Sequence, residues 1–157
     1  MSVAITNCGD VGWVSDRRGY RYTTVDPITD KVWPDMPANF IDIASRAADT
    51  SGFPNFIPDA CLINRYDENS KLGSHQDKDE ACFDSPIVSV SLGLSAIFQL
   101  YGATRGGTPT NILLEDGDVL VFGGPARLAF HGVRKIIPSE SAPLLSQRIN
   151  LTFRKAL

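Results

Sequence analysis

The run Leu72-Gly73-Ser74-His75-Gln76-Asp77-Lys78-Asp79-Glu80 sets an imidazole and a carboxylate two residues apart and follows them with two more acids. On an extended strand residues i and i+2 point to one side, so His75 and Asp77 are expected to share a face. One other histidine exists, His131, in the strand-like Leu128-Ala129-Phe130-His131-Gly132-Val133. Two histidines and one carboxylate on one face are the ligand set of a non-haem iron(II) site. The same residues also fit two ordinary hydrogen-bonded histidines, and spacing alone leaves both readings open.

Outward from this run the chain reads as short strands separated by turns. Strands are expected at 60–66, 72–77, 87–94, 96–100, 110–114, 118–122, 128–133 and 147–154, with Glu115-Asp116-Gly117-Asp118 as a tight turn. Upstream, 1–6 and 19–24 read as two further strands, joined by a glycine-punctuated connection that carries Trp13. Between Pro37 and Gly52, the residues Phe40, Ile43, Ala44 and Ala47 recur at i, i+3, i+4, i+7, one face of an amphipathic helix that Gly52 stops. Many short strands with one helix predict a mainly β (α+β) sandwich or jelly roll with the helix packed outside.

Composition sets the outer limits. At 157 residues the chain fits one domain with a sizeable core, and 43% hydrophobic with 21% charged residues is ordinary for a globular protein. A net charge of -3 excludes a surface that is basic all over, so a nucleic-acid partner would need a local patch or pocket. Three cysteines (Cys8, Cys61 and Cys82) without C-x-x-C spacing favour reduced thiols in a cytosolic-type compartment. No stretch reaches the length of a membrane span, no signal peptide is evident at the start, and a monomer is the default expectation.

The C-terminal strand Gln147-Arg148-Ile149-Asn150-Leu151-Thr152-Phe153-Arg154 alternates strictly. Arg148, Asn150, Thr152 and Arg154 share one face, and Ile149, Leu151 and Phe153 the other. The polar face fits solvent, or a polar interior in which the arginines need anionic partners. Six residues place the two arginine Cα atoms about 20 Å apart. Reaching inward, the two side chains could therefore hold opposite ends of a small dicarboxylate. Asn64 and Tyr66, alternating in Leu62-Ile63-Asn64-Arg65-Tyr66, supply a second hydrogen-bonding strand.

Together His75-x-Asp77…His131, Asn64-x-Tyr66 and Arg148-x-Asn150-x-x-x-Arg154 resemble the AlkB family of iron(II)- and 2-oxoglutarate-dependent nucleic-acid dealkylating dioxygenases, bacterial DNA-repair members above all. The likeness runs through essentially the whole chain in the family's order. It implies a double-stranded β-helix, with His75, Asp77 and His131 as metal ligands. For 2-oxoglutarate it implies Arg148 and Tyr66 at the distal carboxylate, and Arg154, Asn150 and Asn64 nearer the metal-bound end. It also implies Trp13, Tyr20 and Tyr22 as lid aromatics, Asp79 beside the alkylated base, and Arg105 as a lid-side contact.

The implied activity is oxidative demethylation of 1-methyladenine or 3-methylcytosine type bases in single-stranded or flipped DNA or RNA. Oxygen is consumed with release of succinate, carbon dioxide and formaldehyde. One domain is expected over 1–157, with 1–34 a partial nucleotide-recognition lid and 60–157 the jelly-roll core. Against the family pattern the chain is expected to be N-terminally shortened, which puts lid support in question. The competing reading keeps the oxygenase chemistry and changes the substrate to a protein side chain or a small molecule.

Overall fold

The structure is a computed structural model and describes residues 3–138 and 146–157. Eleven strands form among the described residues, in three antiparallel groups. These are β1 (Val3–Gly9), the hairpin strands β2 (Gly12–Asp16) and β3 (Gly19–Thr23), β4 (Ala60–Asp67), β5 (Leu72–His75), β6 (Ile87–Gly93), β7 (Ser95–Leu100), β8 (Thr110–Leu114), β9 (Val119–Phe122), β10 (His131–Ile137) and β11 (Gln147–Arg154). One sheet has the order β1-β4-β11-β6-β9 and faces a second of order β5-β10-β7-β8, while β2 and β3 pair only with each other. This is a double-stranded β-helix with one helix, α1 (Ala38–Thr50), outside it.

β11 shows why the strands pack this way. Ile149, Leu151 and Phe153 turn toward the helix side, where Phe153 and Leu151 join Val88, Val90, Cys8, Cys61, Ala44 and Ala48 in the main apolar cluster. The alternate residues Arg148, Asn150, Thr152 and Arg154 are buried between the two sheets, so the strand is covered on both faces. A smaller cluster of Val3, Tyr66, Leu94, Ala96, Val133 and Ile136 closes one end of that inter-sheet space and leaves a cavity in the rest. Gly93 at the β6–β7 turn has φ +80, and a Cβ there would meet the Gln147 carbonyl at 2.3 Å. Only glycine lets the two sheets join at that point.

The helix ends as its sequence requires. Ser51 and Gly52 return their backbone N–H groups to Ala47, Ala48 and Asp49, Gly52 takes φ +90, and Pro54 follows. Its buried stripe is shifted from the expected one, because Ala48 is buried and Ile43 is 42% exposed. Small alanines let the helix lie close to the sheet, and the bulkier Ile43 falls on the rim.

Four boundaries depart from expectation. The first strand runs over Val3–Gly9, with 1–2 outside the described residues. The expected connection before Gly19 contains the strand β2, paired with β3 from Gly12↔Thr23 to Asp16↔Gly19. β5 stops at His75, so Asp77 lies in the loop beyond it. β10 begins only at His131, after a 3-10 turn at Gly124–Ala126. No helix among the described residues is long and apolar enough to cross a membrane.

Candidate active site

β5 and β10 pair through His131↔His75, which sets the two imidazoles 4.4 Å apart centre to centre. Asp77 reaches them from the loop: its Oδ1 lies 3.5 Å from His75 Nε2 and 3.8 Å from His131 Nε2. Cross-strand pairing followed by a loop return, rather than i and i+2 of one strand, brings the pair together. Each imidazole has Nδ1 against a backbone carbonyl, His75 on Gly73 at 2.9 Å and His131 on Ala129 at 3.0 Å. A carbonyl accepts, so it holds the proton on Nδ1 and leaves the Nε2 lone pair aimed inward, the arrangement a metal ligand needs. One donor atom from each of His75, Asp77 and His131 lies within 4.8 Å of the others, which fits a single ion.

The electrostatics favour the same reading. Burial opposes the Asp77 charge, but Arg154 and the two histidines outweigh it and hold the carboxyl well below the usual carboxylate range. Burial pulls the His131 pKa down, which keeps its ring in the neutral, ligating form. The second oxygen of Asp77 is taken: Arg154 donates Nε at 3.0 Å and Nη2 at 2.6 Å to Oδ2. Oδ1 is thereby left as the oxygen for the ion.

Along β11 and β4 the polar residues are in register, Arg148↔Tyr66 and Asn150↔Asn64. Arg148 is 1% exposed and donates to Ser91 Oγ at 2.8 Å and to the Leu94 carbonyl at 3.3 Å. Its Nε has no partner, no carboxylate among the described residues pairs with it, and burial lowers its pKa. Asn64 donates to the Tyr66 hydroxyl at 3.2 Å, and Asn150 is fully engaged with Ser89, Val90 and Thr152. A buried guanidinium with a spare donor and no counter-ion suits an anionic co-substrate.

At the mouth, Trp13 and Tyr20 stack with centroids 5.5 Å apart and planes 13° from parallel. Trp13 Nε1 donates to Asp79 Oδ2 at 2.7 Å, and Tyr22 donates to Glu80 at 2.6 Å. Burial foremost, with the Glu80 carboxylate beside it, pushes the Tyr22 phenol up. Arg105 donates to the Ser74 carbonyl at 2.8 Å and covers the Phe130 ring. Every candidate residue named from the sequence lines one cavity of about 480 Å³.

The sequence pattern of the 2OG-Fe(II) oxygenase superfamily matches residues 1–154. The chain is 52% identical to the alpha-ketoglutarate-dependent dioxygenase AlkB of Escherichia coli (strain K12), over 99% of this chain and 72% of that protein. The chain belongs to the 2OG-Fe(II) oxygenase superfamily, among its AlkB dioxygenases. The AlkB homologue of Caulobacter vibrioides is 45% identical over 99% of this chain and 70% of its own length. The solved structure of OsALKBH1 superposes with a TM-score of 0.86 at 32% identity, covering 99% of this chain and 78% of that one. An oxidoreductase of the 2OG-Fe(II) oxygenase family from Burkholderia pseudomallei, 19% identical with a TM-score of 0.60, shares the fold.

The chain is thus a 2-oxoglutarate-dependent dioxygenase, and its family uses iron(II), 2-oxoglutarate and dioxygen. Three buried charges escaped the sequence reading: Asp59, which accepts from the C-terminal backbone at Ala156 and Leu157, and Glu80 and Arg127, which pair at 3.0 Å behind Asp77. Glu80 stands inside the decisive run, but the sequence assigns it no role. Arg127 lies in a turn, where no periodicity marks a residue as buried.

Proposed function

We propose that this dioxygenase removes N-methyl groups from 1-methyladenine or 3-methylcytosine type bases in single-stranded or flipped DNA or RNA. The observation that carries this reading is the aromatic hairpin with Asp79 at the mouth of a cavity whose floor is His75, Asp77 and His131. A base cannot reach that floor from inside a duplex, so it must be unpaired or flipped. Relatives point the same way: the similar proteins include a DNA N(6)-methyladenine demethylase of Arabidopsis thaliana and a human nucleic acid dioxygenase.

In this mechanism His75, Asp77 and His131 hold the iron. Arg148 and Tyr66 would take the distal carboxylate of 2-oxoglutarate, with Arg154 and Asn64 nearer its other end and Asn150 lining the wall between them. The bound iron, keto acid and dioxygen supply the oxidising power. With those groups bound, the site would couple conversion of 2-oxoglutarate and dioxygen to succinate and carbon dioxide to hydroxylation of the N-methyl carbon, and the N-hydroxymethyl base would lose formaldehyde to restore the free base. No side chain has to abstract a proton for the C–H step. The protein's share is placement and the exclusion of water.

Trp13, Tyr20 and Tyr22 offer π faces to the base, and Asp79 sets a carboxylate beside its positive charge, a pairing that favours cationic over neutral bases. Arg105 steadies the mouth through the Ser74 carbonyl next to His75. Of the expected lid 1–34, the β2–β3 hairpin acts as the nucleotide lid, whereas β1 (Val3–Gly9) pairs with β4 and belongs with 60–157 to the core, and the chain works as a monomer. Its free cysteines suit a reducing, cytoplasmic setting.

The test is anaerobic loading with iron(II) and 2-oxoglutarate, then air and a single-stranded oligonucleotide carrying 1-methyladenine. Methyl loss matched mole for mole by succinate is expected. Succinate without methyl loss would move the substrate to a protein side chain or a small molecule.

A further inference from the structure

Arg127 has no part in the chemistry above, yet it is only 3% exposed and every polar group of its guanidinium is used. Nε donates to the Ser85 carbonyl at 3.0 Å, Nη1 to the Asp77 carbonyl at 2.8 Å and Nη2 to Glu80 Oε2 at 3.0 Å, with the Phe83 ring 5.3 Å from its carbon. All four partners belong to one loop, the one that carries Asp77 and Asp79. Glu80 is buried as well, and its other oxygen accepts the Tyr22 hydroxyl at 2.6 Å and stands 3.5 Å from Arg154 Nε. Arg154 in turn grips Asp77. Arg127, Glu80, Arg154 and Asp77 thus form a buried row of alternating charge, tied through Tyr22 to the hairpin at the mouth.

In such a row the loss of one member reassigns the next. Without Arg127, the buried Glu80 loses its nearest cation, and Arg154, 3.5 Å from its Oε1, is the cation left beside it among the described residues. Arg154 would be drawn from Asp77 toward Glu80, away from the metal-bound end of the co-substrate. We propose that Arg127 and Glu80 are positioning residues: Arg127 neutralises Glu80 so that Arg154 stays on Asp77, and Glu80 fastens the Tyr22 hairpin over the cavity. The proposal rests on the reading of Arg154 as a 2-oxoglutarate contact.

The test measures 2-oxoglutarate binding to the manganese(II)-loaded chain by calorimetry, with KM and kcat for co-substrate and oligonucleotide beside it. Arg127→Met is expected to weaken 2-oxoglutarate binding by about tenfold or more, the factor set by about 1.4 kcal/mol. Adding Glu80→Gln to that variant removes the competing carboxylate and should restore binding to within about threefold of the parent. A purely structural pair would not regain ligand affinity when its second member is lost. The proposal falls if Arg127→Met binds as the parent does, or if the double variant binds no better than the single.

If Arg127→Met does not fold, Glu80→Gln alone decides. It should leave 2-oxoglutarate affinity within about threefold while raising the oligonucleotide KM about fivefold or more. The opposite split overturns the proposal. Arg154→Gln separates the two layers. If it leaves 2-oxoglutarate binding unchanged, the underlying reading of Arg154 fails. If it weakens binding where Arg127→Met does not, the Arg127 proposal alone fails.

Discussion

Arg148→Met should do opposite things to the empty protein and to its complex. In the structure Arg148 is buried with two neutral acceptors, a spare Nε and no paired carboxylate among the described residues. Removing it sacrifices two ordinary hydrogen bonds, about 1 kcal/mol each. It also removes a desolvated charge, whose effective penalty is several kcal/mol. The second term is the larger, so the ligand-free melting temperature should hold or rise. Co-substrate binding goes the other way, because two charge-assisted hydrogen bonds to the distal carboxylate are lost, at least about 3 kcal/mol together and roughly a hundredfold in Kd. At a concentration 100 times the parent's Kd, 2-oxoglutarate adds about 2.7 kcal/mol of stability, a rise of about 5–11 °C at this chain length. The variant at that concentration should gain about 0.4 kcal/mol, about 1 °C. Scanning calorimetry of both chains with manganese(II), with and without 2-oxoglutarate, gives all four numbers. A methionine variant that melts far below the parent yet keeps the full ligand shift would refute the reasoning, since Arg148 would then be a structural residue and not the carboxylate's partner.

Gly132→Ala would set a Cβ 2.7 Å from the Leu72 carbonyl, so β5 must move off β10 and carry His75 from His131; a cost of about 1–3 kcal/mol and weaker manganese(II) binding are expected, checked by denaturation and metal titration. Phe153→Ala empties the fully buried site that Phe40 meets edge-on at 5.9 Å and should cost about 3–5 kcal/mol in urea unfolding without bearing on which ligands bind. In the β2–β3 hairpin, the Arg21 guanidinium and the Arg18 amide hold the Asp16 carboxyl at about 2. A depressed carboxylate contributes above its ordinary range and loses that contribution as pH falls through the folded value. The Asp16–Arg21 tie should therefore persist to about pH 3 and open near 2, and a carboxyl titration by NMR with its midpoint near 3.8 would contradict it. Trp13→Ala should raise the oligonucleotide KM by about tenfold or more while 2-oxoglutarate binding stays put, a loss of stacking worth about 1–3 kcal/mol.

Much of the site could be read from the chain because its chemistry is written in strand periodicity. Arg148, Asn150 and Arg154 alternate with core residues on one strand, and Asn64 and Tyr66 on its neighbour, so a period of two put them on one side before any contact was known. The helix could be read for a similar reason, although its stripe slipped from Ile43 to Ala48 because helix–sheet distance, not hydrophobicity, chooses which residue goes in. Loops carry no such period. Asp77 lies past the end of β5, His131 follows a 3-10 turn, and β2 hid among glycines whose hairpin pairing depends on Tyr20 and Tyr22 across from Ser15 and Trp13. Arg127 and Glu80 were invisible for the same reason, since a buried charge in a loop is announced only by the partner that neutralises it.

The two faces of β11 explain why such a site can be both polar and stable. Its apolar face supplies Ile149, Leu151 and Phe153 to the helix-side core, and at about 1.5–3 kcal/mol for each fully buried side chain it anchors the strand whatever the other face does. The polar face is therefore free to stay unfinished. Arg154 is neutralised from within by Asp77 and Glu80, whereas Arg148, six residues away, is left with a spare donor and no paired carboxylate among the described residues. A dicarboxylate would bring Arg148 its missing charge at one end and meet at the other an arginine already committed to Asp77. Affinity for the co-substrate should then reside mainly at Arg148, and its alignment toward Asp77 at Arg154. Arg154→Lys keeps the charge but cannot give Asp77 Oδ2 two hydrogen bonds, so it should lower kcat by more than it raises the 2-oxoglutarate KM, while Arg148→Lys should do the reverse. Equal effects of both substitutions on both constants would mean that the two arginines act as one undivided clamp.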